Sequence, residues 1–145
     1  MTVSFFWPTE FVYVTQKFGV DPNYYRQFGL AGHEGLDIRA PVGSSIFACE
    51  AGTVYETYHS GAYGLQVRLL HNISGRIIKT VYGHMKEVVV SKGDRVARGQ
   101  RLGYADTTGN ARGSHLHLTV KVDGAKILGY PEGIVDPTKF FRELD

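Results

Sequence analysis

Residues 115–122 read HLHLTVKV, and this stretch decides the fold because polar and apolar side chains alternate along it. Successive side chains of a β-strand point to opposite faces of the sheet. A strand over this stretch therefore buries Leu116 and Leu118 in a core and brings His115 and His117 together on the other face. A strand anchored by buried leucines is a rigid base for a chemical site.

Similar short apolar runs recur along the chain, separated by turns rich in glycine, of which the sequence has 18. We predict further strands at 11–19, 46–49, 53–58, 65–71, 76–82 and 88–90, and shorter ones around Val96, Leu102 and Tyr104. Many short strands at this spacing are typical of an all-β sandwich or barrel, here one domain over residues 1–145. Residues 20–32 are predicted to form a long loop without structure of its own. The only helix is expected at 136–144, with Asp136 as its cap and Pro137 in its first position.

The composition excludes several classes of protein. Hydrophobic residues make up 43% and charged residues 21% of the 145-residue chain, as in an ordinary globular domain. The net charge is only +2 and the basic residues are scattered, so we expect no nucleic-acid partner. The single cysteine, Cys49, excludes an internal disulfide and a cysteine-based metal site, and its apolar neighbours predict a core residue.

The sequence also lacks the usual signals for membrane insertion and export. No segment has the roughly 18 consecutive apolar residues of a membrane span. The first stretch, MTVSFFWPTEFVYV, lacks a basic start, and Pro8 and Glu10 interrupt its apolar run, so we predict no signal peptide. We therefore expect either an excised domain or a protein that leaves its cell by another route. Separately, we expect a monomer.

The chemistry is expected among the six histidines. His115 and His117 share one strand face, while His33 and Asp37 stand four residues apart, a spacing that also brings side chains to one face. Two imidazoles and one carboxylate suit Zn²⁺ and leave a fourth position open to water. The two spare imidazoles, His84 and one of the 115/117 pair, can then move protons at neutral pH.

Together, these motifs resemble the lysostaphin/LytM-type zinc metallopeptidases of the M23 peptidase family. The likeness extends from about residue 14 to 137 and includes QKFG (16–19), GHEGLDIRAPVGSSIFACEAGTV (32–54), VYGHM (81–85) and TTGNARGSHLHL (107–118). It implies a small, bent antiparallel β-sheet with loops that form a groove. It also implies hydrolysis of peptide bonds in bacterial peptidoglycan, at glycine bridges in some members and at D-amino-acid cross-links in others.

The resemblance further implies a role for individual residues. Zinc would be bound by His33, Asp37 and His117, and His84 and His115 would be the catalytic histidines beside it. Only the resemblance decides which histidine of the 115/117 pair binds the metal.

The sequence also indicates roles for other residues near the site. The sequence has Thr119 where many relatives carry glutamate, a change that alters the surroundings of the metal without removing a ligand. His59 and His71 are interpreted as structural residues. The substrate peptide is expected to contact Tyr24, Tyr25, Tyr63, Asn110 and Arg112.

Two other functions are alternatives to the peptidase. A wall-binding or hydrolase-activating module of the same fold would keep the architecture without cutting peptides. A biotinyl- or lipoyl-type carrier is suggested by residues 88–100 and by the Met85-Lys86 pair, but this lysine lies too close to that segment, and a carrier has no use for the histidine motifs. We expect action on the cell wall outside the cytoplasm, by a periplasmic or secreted enzyme or by a phage-encoded lysin.

Overall fold

The computed structural model describes residues 4–59, 61–106 and 114–141. Over these ranges the chain forms eleven strands and one short α-helix. In chain order they are β1 (Val14–Gln16), α1 (Pro22–Tyr25), β2 (Leu36–Arg39), β3 (Ser45–Phe47), β4 (Gly52–His59), β5 (Leu65–Ile73), β6 (Arg76–Gly83), β7 (Met85–Val88), β8 (Arg95–Val96), β9 (Arg101–Ala105), β10 (His115–Val122) and β11 (Ile134–Val135). Short 3₁₀ helices cover Arg26–Phe28, Gly61–Tyr63 and Pro137–Phe140. Within the described ranges, no helix has the length and apolar character needed to cross a membrane.

The strands form two antiparallel sheets. The large sheet has the order β1-β2-β10-β6-β5-β4-β8. The short strand β11 pairs with Val120 and Lys121 of β10. The small sheet has the order β3-β9-β7. The predicted all-β class and the antiparallel pairing are therefore confirmed, and the sheets are open rather than closed into a barrel.

One face of the large sheet builds the hydrophobic core. Leu118, Tyr82 and Val67 lie opposite one another on β10, β6 and β5, and all three are fully buried. Residues of the small sheet and the predicted core residue Cys49 belong to the same cluster. Because burying a side chain such as leucine stabilises the fold by about 1.5–3 kcal/mol, this face can anchor the strands and leave the other face free for polar side chains.

The hairpin between β5 and β6 shows how the sequence sets the pairing. Ile73 lies opposite Arg76, so only Ser74 and Gly75 form the turn. Both have positive φ angles, 55° and 83°, as a two-residue hairpin turn of type I′ requires. The side chain of Asn72 accepts a hydrogen bond from the Gly75 N–H at 3.0 Å, which closes the turn.

Two sequence-based predictions about helices were wrong in part. Residues 20–32 are not a loop without structure, because they contain α1 and the 3₁₀ helix Arg26–Phe28. Pro22 suits the first turn of a helix, and Gly29, with φ 75°, ends the segment before any helical periodicity can develop. Near the C-terminus, Asp136 caps a helix as predicted by accepting from the Thr138 N–H at 3.0 Å. That helix is a 3₁₀ turn over Pro137–Phe140, and residues 142–144 lie outside the described residues.

Strand bounds differ from the prediction mainly where strands are short. The first strand covers only Val14–Gln16, and the preceding Phe11, Val12 and Tyr13 are exposed. The two-residue strand β11 gives no periodic signal in the sequence. The long strands β4, β5, β6 and β10 match their predicted ranges within two residues at each end.

A buried polar network lies on the core side of the large sheet. His71 Nδ1 donates to the carbonyl oxygen of Ala51 at 2.8 Å, and His71 Nε2 lies 2.8 Å from the Thr80 hydroxyl. The Thr80 hydroxyl lies 2.8 Å from that of Tyr82, which accepts from the Cys49 N–H at 2.9 Å. Burial lowers the pKa of His71 and outweighs the hydrogen bond to Ala51, so the folded protein favours a neutral imidazole.

The lowered pKa of His71 predicts a pH-dependent contribution to stability. Below an unfolded-state pKa of about 6.5, the unfolded chain binds a proton that folded His71 resists, so stability falls as the pH decreases. Calorimetry from pH 7.5 to 5.5 should show a loss of up to about 1.4 kcal/mol per pH unit that His71→Gln lacks. His59→Gln, which replaces an exposed imidazole, should keep the wild-type slope. Equal slopes for wild type and His71→Gln would contradict the prediction.

Candidate metal centre

Strand register assembles the polar site on the other face of the large sheet. Asp37 on β2 and Gly83 on β6 both lie directly opposite His117 on β10, one on each side. On the next strand, Gln16 of β1 lies opposite Asp37. Residues directly opposite each other in antiparallel strands share a face. This row brings together residues that are up to 101 positions apart in the sequence, from Gln16 to His117.

Three side chains converge at the centre of this row. His117 Nδ1 lies 2.9 Å from Asp37 Oδ1, and His33 Nε2 lies 3.3 Å from each of these two atoms. The residues are 1% (His33), 8% (Asp37) and 4% (His117) exposed. One nitrogen or oxygen atom of each lies within 4.8 Å of the others, so the three form a compact set of possible metal ligands.

Hydrogen bonds on the outer side of each ring indicate which nitrogen faces the cluster. His33 Nδ1 lies 3.1 Å from the carbonyl oxygen of Lys17, which can only accept, so this nitrogen carries the proton. His117 Nε2 lies 2.9 Å from the Thr119 hydroxyl and 3.3 Å from Glu34 Oε1. With a proton on that nitrogen, His33 Nε2 and His117 Nδ1 are the two ring nitrogens that face Asp37.

The charges of the cluster are strongly coupled. Burial alone would raise the pKa of Asp37, but the hydrogen bonds and charges of His117 and His33 hold it well below its usual range. Burial would lower the pKa of His117, but Asp37 and Glu34 outweigh it and raise that pKa to about 9. The carboxylates of Asp37 and Glu34 thus favour a positive charge at this site.

This donor set fits a zinc ion. Two imidazole nitrogens and one carboxylate oxygen are the three-ligand arrangement of many catalytic zinc sites, and it keeps one coordination position open. The outer nitrogens of both rings have acceptors, as the imidazoles of metal sites usually do. A divalent cation would replace the proton that now balances Asp37 and Glu34 on His117.

Two further imidazoles border the cluster. The ring centre of His84 lies 5.1 Å from that of His115 and 6.1 Å from that of His117. His115 Nε2 lies 3.8 Å from Asp37 Oδ2. His84 has φ 60°, in the left-handed region, and its N–H donates to the Tyr63 carbonyl at 2.7 Å. Burial, followed by the positive charges of His117 and His115, lowers the pKa of His84 to about 4.

Tyr63 and Glu34 support His117 in a way that the sequence did not predict. The Tyr63 ring stacks on the His117 ring at 4.8 Å between centres, and its hydroxyl donates to Glu34 Oε1 at 3.2 Å. Gly83 leaves room for this, because a Cβ there would lie 3.1 Å from Tyr63 Cβ. Glu34 was missed because neighbours on a strand face opposite ways, whereas the segment before β2 is bent and turns both His33 and Glu34 toward the site.

The cluster lies in an open pocket of about 970 Å³. One wall is aromatic: the Tyr24 ring centre lies 5.0 Å from that of Tyr25 and 5.7 Å from that of Phe28. Tyr25 also lies 5.4 Å from the ring of His33. Tyr24 and Phe28 are 53% and 58% exposed, so their rings are open to a bound molecule.

The predicted site residues divide into three groups. Those proposed to bind metal or move protons all line this pocket, together with Tyr24, Tyr25 and Tyr63. Asn110 and Arg112 lie outside the described residues. Of the two histidines interpreted as structural, His71 belongs to the buried core network, and the exposed His59 lies at the rim of the pocket.

Comparisons with known proteins agree with this geometry. The sequence profile of peptidase family M23 matches residues 31–128. The peptidoglycan DD-endopeptidase ShyA of Vibrio cholerae is 34% identical over 98 residues, which are 68% of this chain and 22% of ShyA. A zinc-containing peptidase from Vibrio cholerae has a similar structure, with a TM-score of 0.67 and 28% identity over 80% of this chain and 36% of that one. Lysostaphin from Staphylococcus simulans shares the fold, with a TM-score of 0.71 and 24% identity over 92% of this chain and 50% of its own.

The contact between Glu34 and His117 predicts that Glu34 strengthens zinc binding. Glu34→Gln keeps the shape of the side chain but removes the negative charge beside His117 Nε2. We expect zinc affinity to fall about tenfold or more, as for other groups that orient a metal-binding histidine. Competition with a chromophoric chelator measures this. Glu87→Gln, at an exposed carboxylate on β7, is the matched control, and equal affinities for both variants would show that Glu34 has no such role.

Proposed function

The chain belongs to peptidase family M23, and we propose that it is a zinc-dependent endopeptidase that hydrolyses peptide bonds in bacterial peptidoglycan. One observation carries the proposal: His33, Asp37 and His117 converge in an open pocket beside the free imidazoles of His84 and His115. A site that only needed to bind a wall peptide would have no use for buried metal ligands next to proton-transfer groups. The similarity to the peptidoglycan DD-endopeptidase ShyA supports peptidoglycan peptides as the substrate class, and we propose stem cross-links or bridge peptides within it.

We further propose that residues 1–145 act as one catalytic unit, because both sheets contribute to a single hydrophobic core. The chain covers only 22% of the length of ShyA, so the proposal concerns the reaction of this unit alone. Its place of action would be the cell wall, outside the cytoplasm.

In the proposed reaction, one set of residues binds the metal and a second set transfers protons. His33, Asp37 and His117 would hold zinc through the atoms that already converge. Bound zinc supplies Lewis acidity to a peptide carbonyl and makes water a stronger nucleophile near neutral pH. His115 then accepts a proton from the water and returns it to the nitrogen of the leaving amine. His84 donates a hydrogen bond to the charge that develops on the carbonyl oxygen.

The aromatic wall is proposed to bind the peptide beside the cluster. Tyr24 and Phe28 present exposed ring faces to the pocket, while Tyr25 is packed against His33. Replacing Tyr24 should therefore weaken substrate binding without disturbing the metal ligands. We expect Tyr24→Ala to raise KM several-fold and to leave zinc content at the wild-type value. A drop in zinc content would show that Tyr24 instead supports the fold of the site.

Purified sacculi of several wall types provide the direct test of the activity. Mass spectrometry should detect new amino and carboxyl termini after incubation with the zinc-loaded protein. A chelator should prevent their release and added zinc should restore it, and the new termini identify the bond that is cut. A protein that binds zinc but releases nothing from any wall would be a non-catalytic module instead.

Single variants separate the two proposed sets of residues. His117→Ala and Asp37→Ala should lose both zinc and activity, because each removes one of the converging atoms. His115→Ala should keep zinc and lose about 10²-fold or more in rate, since it removes only a proton-transfer group. Glu87→Gln, at an exposed carboxylate outside the pocket, should resemble wild type in both measurements. Loss of zinc from His115→Ala would show that the assignment of the two histidines on β10 is wrong.

A further inference from the structure

Three basic side chains lie on the same face of the large sheet as the cluster of His33, Asp37 and His117. Lys121 on β10 lies directly opposite Lys79 on β6, and Arg68 on β5 lies opposite Val81, two residues along from Lys79. Because residues of like parity along β10 share a face, Lys121 points to the same side as His117. These three residues, Arg68, Lys79 and Lys121, are called the basic face below.

Two side chains of the basic face, those of Arg68 and Lys79, contact aromatic rings or an amide. The guanidinium of Arg68 lies 5.2 Å from the Tyr58 ring centre, and Arg68 Nε donates to Gln66 Oε1 at 2.8 Å. Lys79 Nζ lies 5.5 Å from the Tyr55 ring centre. Contacts of this kind restrain the cations while leaving their charge uncompensated.

No carboxylate of the described residues forms an ion pair with the basic face. Glu56 lies opposite Arg68 in the strand register and could have formed an ion pair with it. Its Oε2 atom lies instead 3.7 Å from Lys92 Nζ. All three cations are only half-buried, so their charges can reach a bound molecule.

This arrangement is unfavourable for the isolated protein. Like charges directly opposite each other on neighbouring strands destabilise a sheet. Burial and then the charges of Arg68 and Lys79 lower the pKa of Lys121, so both cations repel the Lys121 ammonium. The chain as a whole carries a net charge of only +2, so the concentration of positive charge here is local. An anion bound across the three groups would relieve the repulsion.

We propose that the basic face binds the free carboxylates of peptidoglycan peptides and so holds the wall next to the metal centre. The proposal rests on the function proposed above, which supplies the substrate class. Lys121 lies four positions after His117 on β10, a distance of about 13 Å along a strand. A branched wall peptide engaged at the metal centre therefore has carboxylates within reach of the basic face, and an arginine with two lysines suits carboxylate groups.

The test compares binding to sacculi that lack teichoic acid, so that carboxylates are the anions of the wall. All proteins carry His115→Ala, which prevents digestion during the measurement, and are loaded with zinc. The variant Arg68→Gln/Lys79→Gln/Lys121→Gln is compared with Lys86→Gln/Arg95→Gln/Lys139→Gln, which removes the same charges from exposed positions elsewhere. Co-sedimentation at low salt gives the affinities, and thermal unfolding checks that both variants are folded.

We expect the basic-face variant to bind about tenfold more weakly, as three ion pairs of ordinary strength would give. The control variant should bind like the parent. Amidation of the wall carboxylates should weaken the parent to the level of the basic-face variant. Equal binding by both variants, or parent binding unaffected by amidation, would overturn the proposal.

The same proteins without His115→Ala distinguish this proposal from the proposed activity. Release of peptides by an enzyme whose basic-face variant binds and cuts like wild type would refute the basic face and leave the peptidase intact. Binding that depends on the basic face, in a protein that cuts no wall, would refute the peptidase and leave the basic face.

Discussion

The pairing register between β2 and β10 is the constraint on which the rest of the site depends. It sets Asp37 opposite His117, and it is held by Leu36 and Ile38, which are fully buried on either side of Asp37. A slip of one residue would turn Asp37 into the core and Ile38 toward the pocket, because strand side chains alternate between faces. The hydrophobic core therefore determines the geometry of the polar site, although it contributes no atom to it.

The site also shows what is needed to bury ionisable groups. An isolated buried charge costs several kcal/mol, so such groups persist only with partners and hydrogen bonds. Here Asp37 has two imidazole partners, and the outer nitrogens of those rings reach the Lys17 carbonyl, Thr119 and Glu34. The same hydrogen bonds that make burial tolerable also direct two ring nitrogens to one point. The same hydrogen bonds therefore stabilise the folded site and orient it to bind a cation.

A single strand, β10, links three tasks. Its inward side chains, Leu116, Leu118 and Val120, are core residues. Its outward side chains include His117 in the cluster of possible metal ligands, Thr119 beside it, and Lys121 on the basic face. Alternation therefore allows one eight-residue strand to stabilise the fold and to carry chemistry on the opposite face. The strand is central in the sheet, paired along both edges, which restricts the movement of the outward groups.

Features that depend on short-range pattern were predictable from the sequence. Alternation in HLHLTVKV indicated β10, short apolar runs indicated β5 and β6, and the spacing of histidines and aspartate indicated a metal site. It could not indicate α1, because four residues are too few to display helical periodicity. Three other features became visible in the tertiary structure. It showed which nitrogen of His117 faces Asp37 and that Glu34 and Tyr63 contact the His117 ring. It also placed Arg68, Lys79 and Lys121 together on the same face of the sheet. These features arise from strand register and from chain segments that meet across the sheet, and local sequence carries no information about such distant neighbours.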